Sequence, residues 1–182
     1  MKKGVKFTLF LFLLALIFIG VSGVRIYSIN KETPNSFDIQ TFKQDEVVSL
    51  NNLAISFVSS KMGEKSHFDG GNPDDQYTLM PLTVELKVKN TSEVNQDITT
   101  LFESQLMVGY SPYNTTDIQT DLKLLKPQEA TMITMTFTID ATLYDKDDTY
   151  LVIGTRALLN FDKENYTEQY NDRIYEGIVF KV

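Results

Sequence analysis

The sequence predicts an all-β domain, a β-sandwich, preceded by an N-terminal hydrophobic helix. Three observations support this fold class. Two segments alternate strictly between apolar and polar residues, turn-forming residues recur at short intervals, and no stretch after residue 29 has the spacing of a long amphipathic helix. About eight short strands in a domain of this length are typical of a β-sandwich, with a β-barrel as the alternative.

The clearest strands are residues 82–89 and 131–140. Their inward faces are predicted to carry Leu82, Val84, Leu86, Val88, Ile133, Met135, Phe137 and Ile139. A slip of one residue would turn either set to solvent, so the register is well specified. Weaker patterns predict strands at 46–50, 53–60, 97–109, 117–124, 149–160 and 173–181 and a long loop at 61–76, while residues 97–106 offer a short helix as an alternative.

Residues 1–28 are predicted to be an export signal. Three lysines precede the uncharged stretch 7–24, and these 18 residues would reach ~27 Å as a helix, close to the ~30 Å hydrocarbon core of a bilayer. This length favours a retained signal anchor that holds the chain in the membrane, and cleavage near Gly23 followed by secretion is the alternative. The positive-inside rule then places the later residues outside the cell membrane, with a polar linker at 29–45 and the domain at 46–182.

The composition limits the kinds of organism and of binding partner that can be expected. The chain has no cysteine, which excludes disulfides, thiolate metal sites and a lipoprotein anchor, and this tilts the source toward a Gram-positive bacterium. Beyond residue 28 the chain carries 13 Lys and Arg against 24 Asp and Glu, a net charge of −11. An acidic body of this kind would be repelled by nucleic acid, so no nucleic-acid partner is expected.

The residues do not suggest an active site. His67 is the only histidine, and no Gly-x-Ser-x-Gly elbow accompanies it. A zinc site normally needs several Cys, His or carboxylate ligands, and a glycosidase normally adds sugar-stacking aromatics, yet the chain lacks tryptophan. We therefore expect a protein that is not an enzyme, with hydrolase as a minor alternative, and no cofactor.

Acidic turns give the one candidate metal site. Oxygen-rich flexible loops suit Ca²⁺, and the weak candidate ligands are Asp69, Asp74, Asp75, Asp147 and Asp148. If consecutive strands run antiparallel, loops 61–76, 111–116 and 140–148 emerge at one end of the sandwich. The strand predicted at 46–50 would begin at that same end, so the linker would enter beside the acidic loops.

Two runs resemble a bacterial extracellular immunoglobulin-like domain family of unknown function that includes relatives of the mycobacterial immunoprotective extracellular protein. Met80–Ser92 matches its alternating strand that ends in Lys-Asn-Thr, and Leu125–Phe137 matches its Leu-x-Pro-Gly turn followed by a strand. Gln128 stands where that family has glycine. The resemblance covers roughly residues 46–160, and it implies an immunoglobulin-like sandwich in an extracellular location, with no catalytic residues.

The function predicted from these patterns is that of a non-catalytic interaction module at the cell surface, which binds an envelope protein or a wall component. The alternative is an extracytoplasmic protein that binds a solute or Ca²⁺. An exposed apolar or tyrosine-rich strand edge would favour the first function, and a concave pocket with converging polar groups would favour the second. The frequent C-terminal tyrosines are expected to pack in the core or at strand edges.

Overall fold

The computed structural model describes residues 2–31, 36–69, 76–171 and 174–182. The chain divides into two compact units, Met1–Asn35 and Ser36–Val182. The first unit contains a single helix among its described residues, and the second contains strands and two short helices.

Helix α1 (Lys2–Asn30) occupies the first unit. Its segment Leu11–Asn30 has 20 residues with a mean hydropathy of 2.1, long and apolar enough to cross a membrane. A signal sequence near the N-terminus can meet the same criteria of length and composition, so the choice between retention and cleavage stays a prediction. The expected apolar N-terminal helix is confirmed.

The second unit contains short strands joined by turns. The strands are β1 (Ser36–Phe42), β2 (Val47–Ser49), β3 (Leu53–Met62), β4 (Ser66–Asp69), β5 (Gln76–Asn90), β6 (Gln96–Asp97), β7 (Gln105–Val108), β8 (Ser111–Tyr113), β9 (Thr115–Thr120), β10 (Leu124–Leu125), β11 (Ala130–Asp140), β12 (Thr149–Ile153) and β13 (Ile174–Lys181). The helices are α2 (Thr155–Phe161) and α3 (Lys163–Asn171), and short 3₁₀ turns cover Thr99–Glu103 and Lys146–Asp148.

Two sheets form the sandwich. Sheet I has the order β1-β13-β12-β7-β8, and sheet II has the order β2-β3-β5-β11-β9, with β4 paired to β5. A small β6–β10 ribbon lies apart from both. One hydrophobic core draws side chains from both sheets and from α2, including the fully buried Phe137, Phe161 and Phe180. The predicted β-sandwich, preceded in the sequence by an apolar N-terminal helix, is confirmed.

The register predicted for the two clearest strands is also confirmed. Strands β5 and β11 pair antiparallel, with Leu82 opposite Phe137 and Val84 opposite Met135. All eight side chains predicted to face inward are buried. Alternation specified these strands because each has one face on the core and one toward solvent.

Four weaker predictions need correction. The linker predicted at 29–45 contains β1, and the loop predicted at 61–76 contains β4. The strand predicted at 97–109 begins with a 3₁₀ turn, which agrees with the alternative of a short helix there. The strand predicted at 149–160 ends at Ile153, because Gly154 is the N-cap of α2, which turns Ala157, Leu158 and Phe161 into the core.

Gln128, at the position where the resemblance expects glycine, lies in the turn before β11. Gln128 has φ of 64°, in the left-handed region that favours glycine, and its backbone N–H donates to the carbonyl of Asn90. The backbone N–H of Asn90 donates in turn to the carbonyl of Glu129. The two matching motifs therefore meet in one hydrogen-bonded corner, and Gln128 occupies a backbone conformation that glycine adopts without strain.

Candidate functional site

The carboxylates predicted as metal ligands do not form a cluster within the described part of the chain. Asp69 ends β4, while Asp74 and Asp75 lie outside the described residues. Asp147 and Asp148 lie in the 3₁₀ turn before β12, where the Asp147 carboxylate is 3.2 Å from the ammonium group of Lys181. Among the described residues, no group of three or more His, Cys, Asp or Glu could hold a metal ion. Calcium binding through the loop at 69–75 stays a prediction.

The acidic turns do lie at one end of the sandwich, as far as they are described. The Gly109 N–H donates to the Asp148 carbonyl at 2.8 Å, and the Ala141 N–H donates to the Thr78 carbonyl at 2.7 Å. These bonds place the turn after β7, the segment after β11 and the first half of β5 together.

The expectation that the chain enters at this acidic end is wrong. The first strand is β1, which runs parallel to β13 with Ser36 opposite Ile174. Strand β13 runs antiparallel to β12, so its last residues lie beside Tyr150, near the acidic turns. Ser36 therefore lies at the other end of sheet I. The prediction failed because it took residues 46–50 as the first strand.

Strand β1 leaves a free edge on sheet I. Among the described residues it pairs only with β13, and each of its own residues except the last is exposed. Of the strands that end the two sheets, β2 and β8 have three residues each and β8 contains Pro112, while β9 is largely polar. Short edges, proline and polar residues discourage pairing with another chain. Strand β1 is longer, with seven residues and no proline, and two of its exposed residues, Phe37 and Ile39, are large and apolar.

The outward face of β1 is apolar. Phe37 is 69% exposed and Ile39 is 43% exposed. The Phe37 ring lies 5.8 Å from the ring of Tyr175, its neighbour in β13. A Cβ atom at Gly177 would lie 2.8 Å from Cδ1 of Ile39, so glycine at this position allows Ile39 to lie across β13. Phe37, Ile39 and Tyr175 form an apolar patch that we call the edge patch.

The opposite face of the same edge is acidic. Asp38 pairs with Glu176 in the parallel register, which places two carboxylates side by side. Burial raises the pKa of Glu176, and the neighbouring Asp38 carboxylate raises it further. Burial also raises the pKa of Tyr166, with Glu176, Asp162 and Asp38 adding to the effect. Neither Asp38 nor Glu176 has a cation within 4 Å among the described residues.

The sequence does not predict this edge, because residues 29–45 are mostly polar. The usable signal was short: Phe37, Ile39 and Thr41 alternate with more polar residues, which is the period of a strand. The tyrosines were expected to pack in the core or at edges. Tyr166 is buried, and Tyr175 is half-buried at the edge beside β1.

Comparison with known proteins finds structures similar to this chain but no family to which it belongs. No family model and no curated protein matches the chain. The yjhA protein from Bacillus subtilis is similar in structure, at 12% identity and a TM-score of 0.49, over 76% of this chain and 97% of that one. An uncharacterised β-sandwich protein from Clostridium difficile has 10% identity and a TM-score of 0.46, over 82% and 99% of the two chains. A protein of unknown function from Listeria monocytogenes has 13% identity and a TM-score of 0.44, over 59% and 70%.

Proposed function

We propose that this chain is a non-catalytic interaction module, anchored in the cell membrane with its sandwich outside, that binds an extended segment of an envelope protein along the free edge of β1. The exposed edge patch on a seven-residue edge strand is the observation that carries the proposal. The extracellular immunoglobulin-like family that the sequence resembles, with its mycobacterial relatives, agrees with this location.

Edge recognition would supply both affinity and selectivity. A strand added beside β1 would satisfy backbone groups along the free edge, while its alternate side chains would reach the two faces. One face would meet Phe37 and Ile39, and the other would meet the carboxylates of Asp38 and Glu176. The partner segment should therefore alternate between apolar residues and Lys or Arg.

The paired carboxylates argue against two other occupants. In a symmetric dimer through β1, the Asp38 carboxylates of the two copies would lie on facing strands, and like charges that approach across a sheet are destabilising. An anionic lipid surface would be repelled for the same reason. A wall polymer would leave the free backbone groups of β1 without strand partners. A basic protein segment relieves the charge and pairs with the backbone.

A photoreactive side chain at Phe37 tests the proposal. Replacing Phe37 with benzoylphenylalanine keeps an aromatic group at the edge patch, and irradiation of intact cells should link the full chain to a second, different protein. The same replacement at Tyr110, which is 101% exposed, is the matched control and should give little product. Charge reversal in Asp38→Lys should lower the yield from Phe37 severalfold, because it repels a basic segment.

The outcomes of this experiment separate the alternatives. A cross-link to a second copy of the chain would replace the proposed partner with self-association. Equal yields from positions 37 and 110, or a yield that Asp38→Lys leaves unchanged, would contradict recognition at this edge.

The membrane anchor makes a separate prediction. If α1 is retained, the membrane fraction should contain the intact chain of 20.8 kDa, and intact-mass measurement would detect it. The Gly23→Leu variant removes a small residue from the alternative cleavage site, so it should leave the distribution unchanged. A soluble product whose mass corresponds to a chain starting at Val24, lost in the Gly23→Leu variant, would show a cleaved signal instead.

A further inference from the structure

A pocket opens where the edges of the two sheets separate, at the end of the sandwich that carries the turn at 145–148. It has a volume of about 350 Å³. Its walls come from the turn after β1, the second half of β3, the turn before β12 and the end of β13. The lining residues are Lys43, Gln44, Phe57, Ser59, Ser60, Lys146, Lys181 and Val182.

Hydrogen bonds to β3 fix the turn that carries Lys43. A β-bulge interrupts β3 between Phe57 and Ser59, and the preceding turn docks on it. The Gln44 side-chain amide donates to the Val58 carbonyl at 2.7 Å, and the Asp45 N–H donates to the Phe57 carbonyl at 2.8 Å. The bulge also sets Ser60 opposite Val84, whose side chain is in the core, so Ser60 is on the inward face of β3.

The pocket is lined by positively charged side chains, whereas the domain as a whole is acidic. Three lysines from separate parts of the sequence line it, and no acidic side chain from the described part of the chain does. The Lys181 ammonium lies 3.2 Å from the Asp147 carboxylate. Within the described residues, no carboxylate lies within 4 Å of the ammonium group of Lys43 or Lys146, while the Glu46 carboxylate accepts the backbone N–H of Lys43 at 2.7 Å. Three ammonium groups around one pocket repel one another, and an anion between them would relieve that repulsion.

We propose that this pocket binds a phosphate group. Lysine binds phosphate as a compact point charge, and the hydroxyl of Ser60 and the side chain of Gln44 add polar groups to the wall. Phe57 and Val182 are almost fully buried and give the pocket an apolar floor. The volume exceeds that of one phosphate, so a carbon group attached to the phosphate can lie on this floor. The site is separate from the edge patch and does not depend on the proposed function.

Titration of the full chain in nanodiscs of zwitterionic lipid tests the proposal. Inorganic phosphate and glycerol 3-phosphate are added at constant ionic strength, with chloride as the reference, and amide NMR and calorimetry follow binding. We expect saturable shifts at Lys43, Ser60 and Val182, with tighter binding of glycerol 3-phosphate. The Lys43→Gln/Lys146→Gln variant should weaken binding by about fivefold to tenfold, the loss expected for two partly exposed charge contacts.

Lys87→Gln/Lys89→Gln is the matched control, because both lysines are exposed on the outer face of β5, and it should leave binding unchanged. Vesicles containing phosphatidylglycerol distinguish a lipid source of the phosphate from a free one. Binding to them that the Lys43→Gln/Lys146→Gln variant loses and the control keeps would assign the site to a lipid headgroup. Shifts no larger than those with chloride, or equal losses in the two double variants, would overturn the proposal.

Discussion

Replacing Phe137 with alanine is expected to lower the free energy of unfolding of the sandwich by about 3–5 kcal/mol. Phe137 is fully buried in β11, opposite Leu82 of β5. Its ring belongs to the one core that both sheets share, so its removal leaves a cavity between them. The loss combines the transfer of the ring from water with contacts that the surrounding side chains cannot recover.

Thr136→Ala is the matched control on the opposite face of the same strand. Thr136 is half-buried, and its hydroxyl lies 3.3 Å from the hydroxyl of Thr83. Its loss should cost no more than about 1 kcal/mol, the range for one exposed cross-strand pair. Urea unfolding of the full chain in mild detergent, followed by tyrosine fluorescence, compares the two variants. Equal shifts of the midpoint would mean that the inward face of β11 has been misassigned.

The sequence predicted the parts of the fold whose signal is local. Strands β5 and β11 are long, and each alternates without interruption, so their faces and register could be read directly. Helix α2 was missed because its seven residues are too few for a periodic pattern. Strand β1 was missed because what marks it as a strand is its pairing with β13, more than 130 residues later, and no local pattern encodes that contact.

The candidate sites depended even more on distant contacts. Lys43, Lys146 and Lys181 are ordinary surface lysines in the sequence, and only the fold brings them around one pocket. The Asp38 and Glu176 pair likewise exists only through the parallel register of β1 and β13. The acidic turns were visible in the sequence because their residues are neighbours along the chain, yet the described ones do not gather into a metal site.

The corner between β5 and β11 depends on one buried amide. Asn90 is fully buried at the end of β5. Its side-chain NH₂ group donates to the carbonyl oxygens of Val94 at 2.7 Å and Leu125 at 3.0 Å. Its side-chain oxygen accepts from the N–H and the hydroxyl of Ser92, at 2.9 and 2.8 Å. All the polar groups of this side chain are thus satisfied, and they join the turn after β5 to the β10 ribbon.

Asn90→Ala should therefore lower the free energy of unfolding by about 2–4 kcal/mol, because it leaves partners such as the Leu125 carbonyl without a hydrogen bond at a buried site. Asn95→Ala, at an exposed asparagine five residues away, should change it by less than about 0.5 kcal/mol.

Asn90→Asp adds a test of the bonding pattern. The carboxylate keeps the acceptor to Ser92 but faces the carbonyl oxygens of Val94 and Leu125, to which it cannot donate. Burial and these oxygens should raise the pKa of the new carboxyl group in the folded state. A raised pKa of an acid penalises the folded state above the unfolded pKa, so the destabilisation should be largest near neutral pH and should shrink toward about pH 4. Urea midpoints at several pH values, referred to the parent chain, would measure it. A loss that is the same at every pH would show that the amide of Asn90 does not donate to these carbonyls.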